Sequence, residues 1–246
     1  MTAVILRTAL WVGLVDALAG LALLGFLYTP ESNVLMLGVS ALLVALAGTL
    51  LVLGSASASF AIVHGRAPWA SVVPAARRLP VILAAVLVIG IICGGAGWFE
   101  AWWLAHAGQV DAAAIAAGDV TRTGWIHGTV HWLVVAIQWV VVHVWFATVL
   151  AWAAGYEPRD VLTGKWLTAG LDWRLLLATA GCVVALVWLP WHYVYWRPRG
   201  LPATTAEVVF TGAKLVTVYL LSQIAWAIVL WAAARKVPPP LQQPRT

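Results

Sequence analysis

The sequence predicts an all-α integral membrane protein, a bundle of six transmembrane helices with two short interfacial amphipathic helices on the cytoplasmic side. Three observations predict it. Hydrophobic residues make up 63% of the 246-residue chain and charged residues only 9%, where a soluble domain carries about 25% charged residues. The mean hydropathy is +0.94. Six apolar stretches are each long enough for a bilayer core of about 30 Å.

Span one covers about residues 8–28, after Arg7 and before Pro30. Ala17-Leu18-Ala19 imitates a signal cleavage site, but Asp16 interrupts the apolar region before it, so this segment is expected to be retained as a span. Ser32 is the expected N-cap of span two, 34–63. That span holds the small-residue run Gly54-Ser55-Ala56-Ser57-Ala58-Ser59. Such a run lets neighbouring backbones approach closely, and its hydroxyls could alternatively line a narrow solute path. Residues 65–80 carry Arg66, Arg77 and Arg78, and repeat Trp69, Val72, Val73, Ala76 and Leu79 at helical spacing. This is the first expected interfacial helix. Span three, 80–104, ends in Trp98, Glu100, Trp102 and Trp103, and a polar loop over 106–123 carries Asp111, Asp119 and Arg122.

Span four, 124–154, holds no Asp, Glu, Lys or Arg. At about 3.6 residues per turn, His127, His131, Val134, Gln138 and Trp145 share one face, with Trp125, Trp132, Trp139 and His143 roughly opposite. The second interfacial segment, 156–171, sets Leu162, Trp166, Ala169 and Trp173 in a stripe and turns Arg159 and Lys165 to water. Span five, 173–190, breaks at Pro190, and the basic aromatic loop after it contains His192, Arg197 and Arg199. Thr204 with Glu207 reads as a capping box opening span six, 205–234. Residues 1–236 thus form a single polytopic membrane domain, and 237–246 a flexible Pro-rich cytoplasmic tail. Gly65, Pro68 and Trp98 recur ninety residues later as Gly155, Pro158 and Trp188, a weak echo that would be a parallel repeat.

Charge sets the expected orientation. With both termini cytoplasmic, ten basic residues lie inside and Arg122, Arg197 and Arg199 outside, with Lys214 within span six. That is a positive-inside bias, and it suits a bacterial inner membrane. The net charge of +5 is scattered over helix ends, which argues against nucleic acid as a partner. Cys93 and Cys182 both fall in apolar stretches and read as buried structural thiols.

Two constellations could carry chemistry. His127 and His131, one turn apart, can share a metal with Glu100, His106 or His192 as a third ligand. A haem is the other cofactor these histidines could serve, although no Cys-x-x-Cys-His attachment accompanies them and no motif demands a cofactor. In span six, Glu207, Thr211, Lys214 and Ser222 fall within one arc. Lys214 and Asp16 both sit near mid-membrane, so an ion pair between them would close the bundle or relay protons, with Glu100 as the competing partner for Lys214. No Walker loop, dinucleotide fingerprint, nucleophile elbow or zinc-protease motif is present, and no catalytic residue can be named. The leading expectation is a non-catalytic membrane subunit (a scaffold, anchor or assembly component) held among lipid and other membrane-protein subunits. A small transporter or channel using Asp16 and Lys214 is the first alternative, and a metal- or haem-binding redox protein using His127 and His131 the second.

Overall fold

Each long apolar stretch of the chain folds as helix. The computed structural model describes residues 1–30, 33–117, 124–196 and 205–237, with no strand among them. Six helices are long and apolar enough to cross a membrane. They are α1 (Thr2–Leu27), α2 (Val34–His64), α3 (Val72–Ala116), α4, α7 and α8 (Thr205–Ala234). Helix α4 is α-helical over Gly124–Ala136, π-helical over Ile137–Val141 and α-helical again over Val142–Gly155. Helix α7 repeats that pattern, with Trp173–Cys182, a π segment Val183–Trp188, and Leu189–Val194. Between them lie α5 (Pro158–Leu162) and α6 (Lys165–Gly170).

The expected N-cap Ser32 lies outside the described residues. Asn33 caps α2 instead, its side chain accepting the Met36 amide at 3.0 Å, which satisfies one of the helix's orphan donors. Gly65 ends α2 at φ 63°, a left-handed conformation that glycine adopts without a Cβ penalty.

Two sequence expectations change here. The interfacial helix expected over 65–80 is only a 3-10 turn, Trp69–Ser71, that runs straight into α3. Pro80 is carried inside α3, where it leaves the Ala76 carbonyl without its usual donor. The polar loop expected from 106 is helical to Ala116, because the alanine-rich segment after Glu100 has high helix propensity. At 45 residues α3 is about 68 Å long, well beyond a bilayer core. Asp119 and Arg122, and the side chain of Asp111, lie outside the described residues.

The second expected interfacial segment forms, but Gly164 at φ 72° divides it into α5 and α6. That break resets the helical phase, so the expected apolar stripe does not hold. Trp166 is buried, its indole donating to the Val161 carbonyl at 2.9 Å, whereas Leu162 and Trp173 are exposed. The ninety-residue echo pairs α2 and α3 with α4 and α7 in chain order, yet one 3-10 turn joins the first pair and two short helices join the second. The Thr204 capping box, Arg197, Arg199 and the tail beyond Val237 lie outside the described residues.

Both ends of the described chain reach one end of the bundle. There the Arg7 guanidinium donates to the Arg66 carbonyl at 2.7 Å, and Lys236 pairs with Asp172 at 2.7 Å. The buried core lies toward the same end. Val12, Ala58, Ile82, Val149, Leu150 and Leu230 bring α1, α2, α3, α4 and α8 together. Gly54 lets α2 approach α1 closely: a Cβ there would sit 2.7 Å from Val15 Cγ1. Cys93 on α3 and Cys182 on α7 are free, partly exposed thiols.

Asp172 caps α7 through the Arg174 and Leu175 amides. Its hydrogen bond with Lys236, helped by those amides, holds its carboxyl below the usual 3.8. A lowered folded value means the ionised form stabilises the fold. That stabilisation is fully present above the ordinary value and is lost as pH falls through the folded one. Asp172→Asn should therefore flatten the acid side of the stability profile while keeping the cap. Thermal unfolding of both proteins in detergent between about pH 3 and 6 reads this, and parallel profiles would show that the pair contributes nothing.

Candidate functional site

Five helices place side chains around one cavity of about 320 Å³ at mid-bundle, where the packed core gives out. Helix α1 supplies Asp16, α2 Ser55, α4 Trp139, His143 and Phe146, α7 Thr179, and α8 Ser222, Gln223 and Trp226. A larger hollow of about 470 Å³ over Gly128, Thr129, Trp132 and Leu133 is an open groove with no titratable lining. The chemistry lies in the smaller one.

Irregular helix geometry helps to build it. The π segment Ile137–Val141 inserts an extra residue per turn just before His143, and the π segment of α7 begins just after Cys182. Such segments re-aim the side chains that follow and recur at functional sites. Trp139 stacks on His143 at 6.1 Å and 12°, Trp226 meets the same imidazole edge-on at 6.0 Å, and Phe146 stacks on Trp226 at 5.6 Å. The Trp226 indole is pinned by its bond to Ser55 Oγ at 3.0 Å. The small-residue run of α2 therefore serves packing and the cavity together. Ser57 accepts the Trp11 indole at 2.8 Å, whereas Ser55 holds the cavity wall.

The polar atoms of this cavity are incompletely paired. His143 Nδ1, Thr179 Oγ1 and Gln223 Oε1 are buried without a protein hydrogen-bond partner. His143 lies beside the backbone of Gln138 and Trp139. Thr49, Thr148 and Thr217 all turn back onto carbonyls four residues earlier. Thr179 does not. The Gln223 amide is the polar neighbour of the Asp16 carboxyl.

Asp16 and Lys214 do not form the expected pair. Lys214 is 7% exposed, and its ammonium donates to the carbonyls of Val194 at 2.6 Å and Trp196 at 2.8 Å, with Phe210 beneath it at 4.7 Å. It caps the end of α7, where the helix dipole favours a cation. Helix register explains the difference. Gly13 of α1 packs on Gln223 of the antiparallel α8 and accepts the Tyr219 hydroxyl. From that level Asp16 lies about 4.5 Å, and Lys214 about 13.5 Å, toward the end away from the termini. The two miss by about two turns. Glu207 stands in the first turn of α8.

The expected metal set is brought together in part. His131 Nδ1 donates to Glu100 Oε1 at 2.7 Å across α3 and α4. His106 and His192 instead donate to the carbonyls of Trp102 and Trp188 on their own helices, and the side chain of His127 lies outside the described residues. Among the described residues no three His, Cys, Asp or Glu side chains converge as metal ligands.

His143, Thr179, Gln223 and Trp226 were not marked by the sequence as site residues. A midspan polar residue is itself a signal of function, and Gln223 stands beside Ser222, which the sequence did place on a polar arc. No protein-family model, curated protein or solved structure matches this chain, so the site's own chemistry carries the functional reading.

Proposed function

We propose that this chain is an integral membrane protein of the small transporter or channel class, which holds a polar solute in the Asp16 cavity partway across the bilayer. One observation carries the proposal: five apolar helices converge on a hollow where His143 Nδ1, Thr179 Oγ1 and Gln223 Oε1 are buried without protein partners. An unsatisfied buried polar atom costs about 1–3 kcal/mol. Several gathered in one hollow fit an occupant, either a solute or the water it displaces. The bundle is read as a membrane bundle from the length and hydropathy of its helices. The positive-inside bias supports cytoplasmic termini and a bacterial inner membrane.

In this reading Asp16 recognises the solute and Lys214 fastens α7. The earlier expectation of a non-catalytic subunit keeps one supporting observation, the exposed indoles of Trp98 and Trp132, which a neighbouring membrane protein could cover.

The two readings part in reconstituted vesicles. After a hyperosmotic step with methylammonium chloride, acetamide or urea, proteoliposomes should re-swell faster than empty vesicles for at least one solute, and Asp16→Asn should remove the excess rate. Rates equal to empty vesicles for all three would overturn the transport reading. So would a stoichiometric membrane partner whose removal unfolds the protein.

A further inference from the structure

We infer that the solute of the Asp16 cavity is a primary ammonium cation, either the ammonium ion or a small protonated primary amine; this rests on the reading of the cavity as a solute site.

Charge comes first. Of the residues lining the cavity, Asp16 is the one acid, and no lysine or arginine joins it. Lys214, the cation within α8, is committed to the carbonyls of Val194 and Trp196. A carboxylate in such a place needs a proton or a cation from outside. The cavity thus offers a negative site without a resident counter-charge.

Hydrogen-bond chemistry narrows the cation. Gln223 Oε1 can only accept, and Thr179 Oγ1 can accept; both are buried and unpartnered, their residues being 8% and 1% exposed. Ser222 spends its proton on the Tyr219 carbonyl at 2.7 Å, which leaves its oxygen as an acceptor. With the carboxylate these oxygens give the site several acceptors, and His143 Nδ1 joins them in the tautomer that carries its proton on Nε2. An NH₃⁺ group brings three donors and no acceptor. A quaternary ammonium brings none.

The walls supply the remaining selectivity. Trp139, Phe146 and Trp226 offer indole and phenyl surfaces, and aromatic faces attract cations within about 6 Å. A bare alkali ion competes for the same oxygens but has no N–H groups to donate to them, so sodium is the comparison that tests the assignment. A cavity of about 320 Å³ is at the small end for organic ligands, so a short alkyl chain fits and a bulky amine does not.

Purified full-length protein in detergent can be titrated with methylammonium chloride by calorimetry, with thermal unfolding as a second readout. Sodium chloride, tetramethylammonium chloride and acetamide serve as comparisons. Methylammonium should bind saturably and raise the unfolding temperature above the sodium chloride control. Asp16→Asn should weaken it at least about 30-fold, and Thr179→Val about 3–10-fold, each variant first shown to unfold cooperatively. Binding of tetramethylammonium or sodium as tight as methylammonium would overturn the primary-ammonium assignment. Acetamide binding without methylammonium binding would overturn it too, while leaving the solute cavity standing. If none of them binds, the inference and the cavity reading both fall.

Discussion

Leucine in place of Gly54 is expected to force α1 away from α2 and to lower stability by about 1–3 kcal/mol or more. Even the first added carbon has no room. A Cβ at Gly54 would lie 2.7 Å from Val15 Cγ1 and 2.9 Å from Val15 Cβ. Val15 cannot swing aside cheaply, because it is buried and its Cβ is fixed to the backbone of α1. Small residues at helix contacts serve such close approaches. The disturbance would also reach the cavity, since Val15 precedes Asp16 and Gly54 precedes Ser55. Gly20 is the control, for a Cβ there meets nothing within 4 Å. Gly20→Ala should be neutral or slightly stabilising, by the difference in helix propensity. Thermal unfolding in detergent compares Gly54→Ala, Gly54→Leu and Gly20→Ala, and a Gly54→Leu protein as stable as the control would rule out the close contact.

Lys214→Met is expected to cost about 1.5–3 kcal/mol, the range for hydrogen bonds that involve a charged group. The loss has two parts. The Val194 and Trp196 carbonyls lose their donor, and Phe210 loses the cation above its ring. Lys214→Arg should recover part of it, since the charge at the end of α7 survives. The more discriminating measurement is a double-mutant cycle with Asp16→Asn. Residues that share no partner have additive effects to within about 0.3–0.5 kcal/mol, so the double mutant should lose the sum of the two single losses. A coupling above about 1 kcal/mol would restore the ion pair between α1 and α8 and displace the present account of both residues.

Features that depend on neighbours in sequence were readable from the residues. Hydropathy and length determined six helices able to cross a membrane, because a long apolar run needs no knowledge of its partners. Pro158 at the start of α5 and Asp172 before α7 mark helix beginnings by local hydrogen-bond logic. The boundaries moved where local propensity was underrated. Alanine carried α3 on to Ala116, and Gly164 split one expected interfacial helix into two.

What the residues alone left open depends on register between helices. Asp16 and Lys214 look equally deep when each is counted along its own helix. Which of them is level with what is set by the packing of Gly13 on Gln223 and by the Tyr219 hydroxyl, contacts 206 residues apart in sequence for the latter pair. The π segments are likewise invisible to a count of 3.6 residues per turn, yet His143 stands just beyond one of them. The structure brings Glu100 and His131 within hydrogen-bond distance, but whether a third ligand joins them is a question of where other helices put their histidines. His106 and His192 spend theirs on their own backbones. The sequence by itself determined the helices and the rarity of charge within them. Only the tertiary structure decided which polar groups satisfy one another and which are left facing a cavity, because that depends on distances between helices that no single helix encodes.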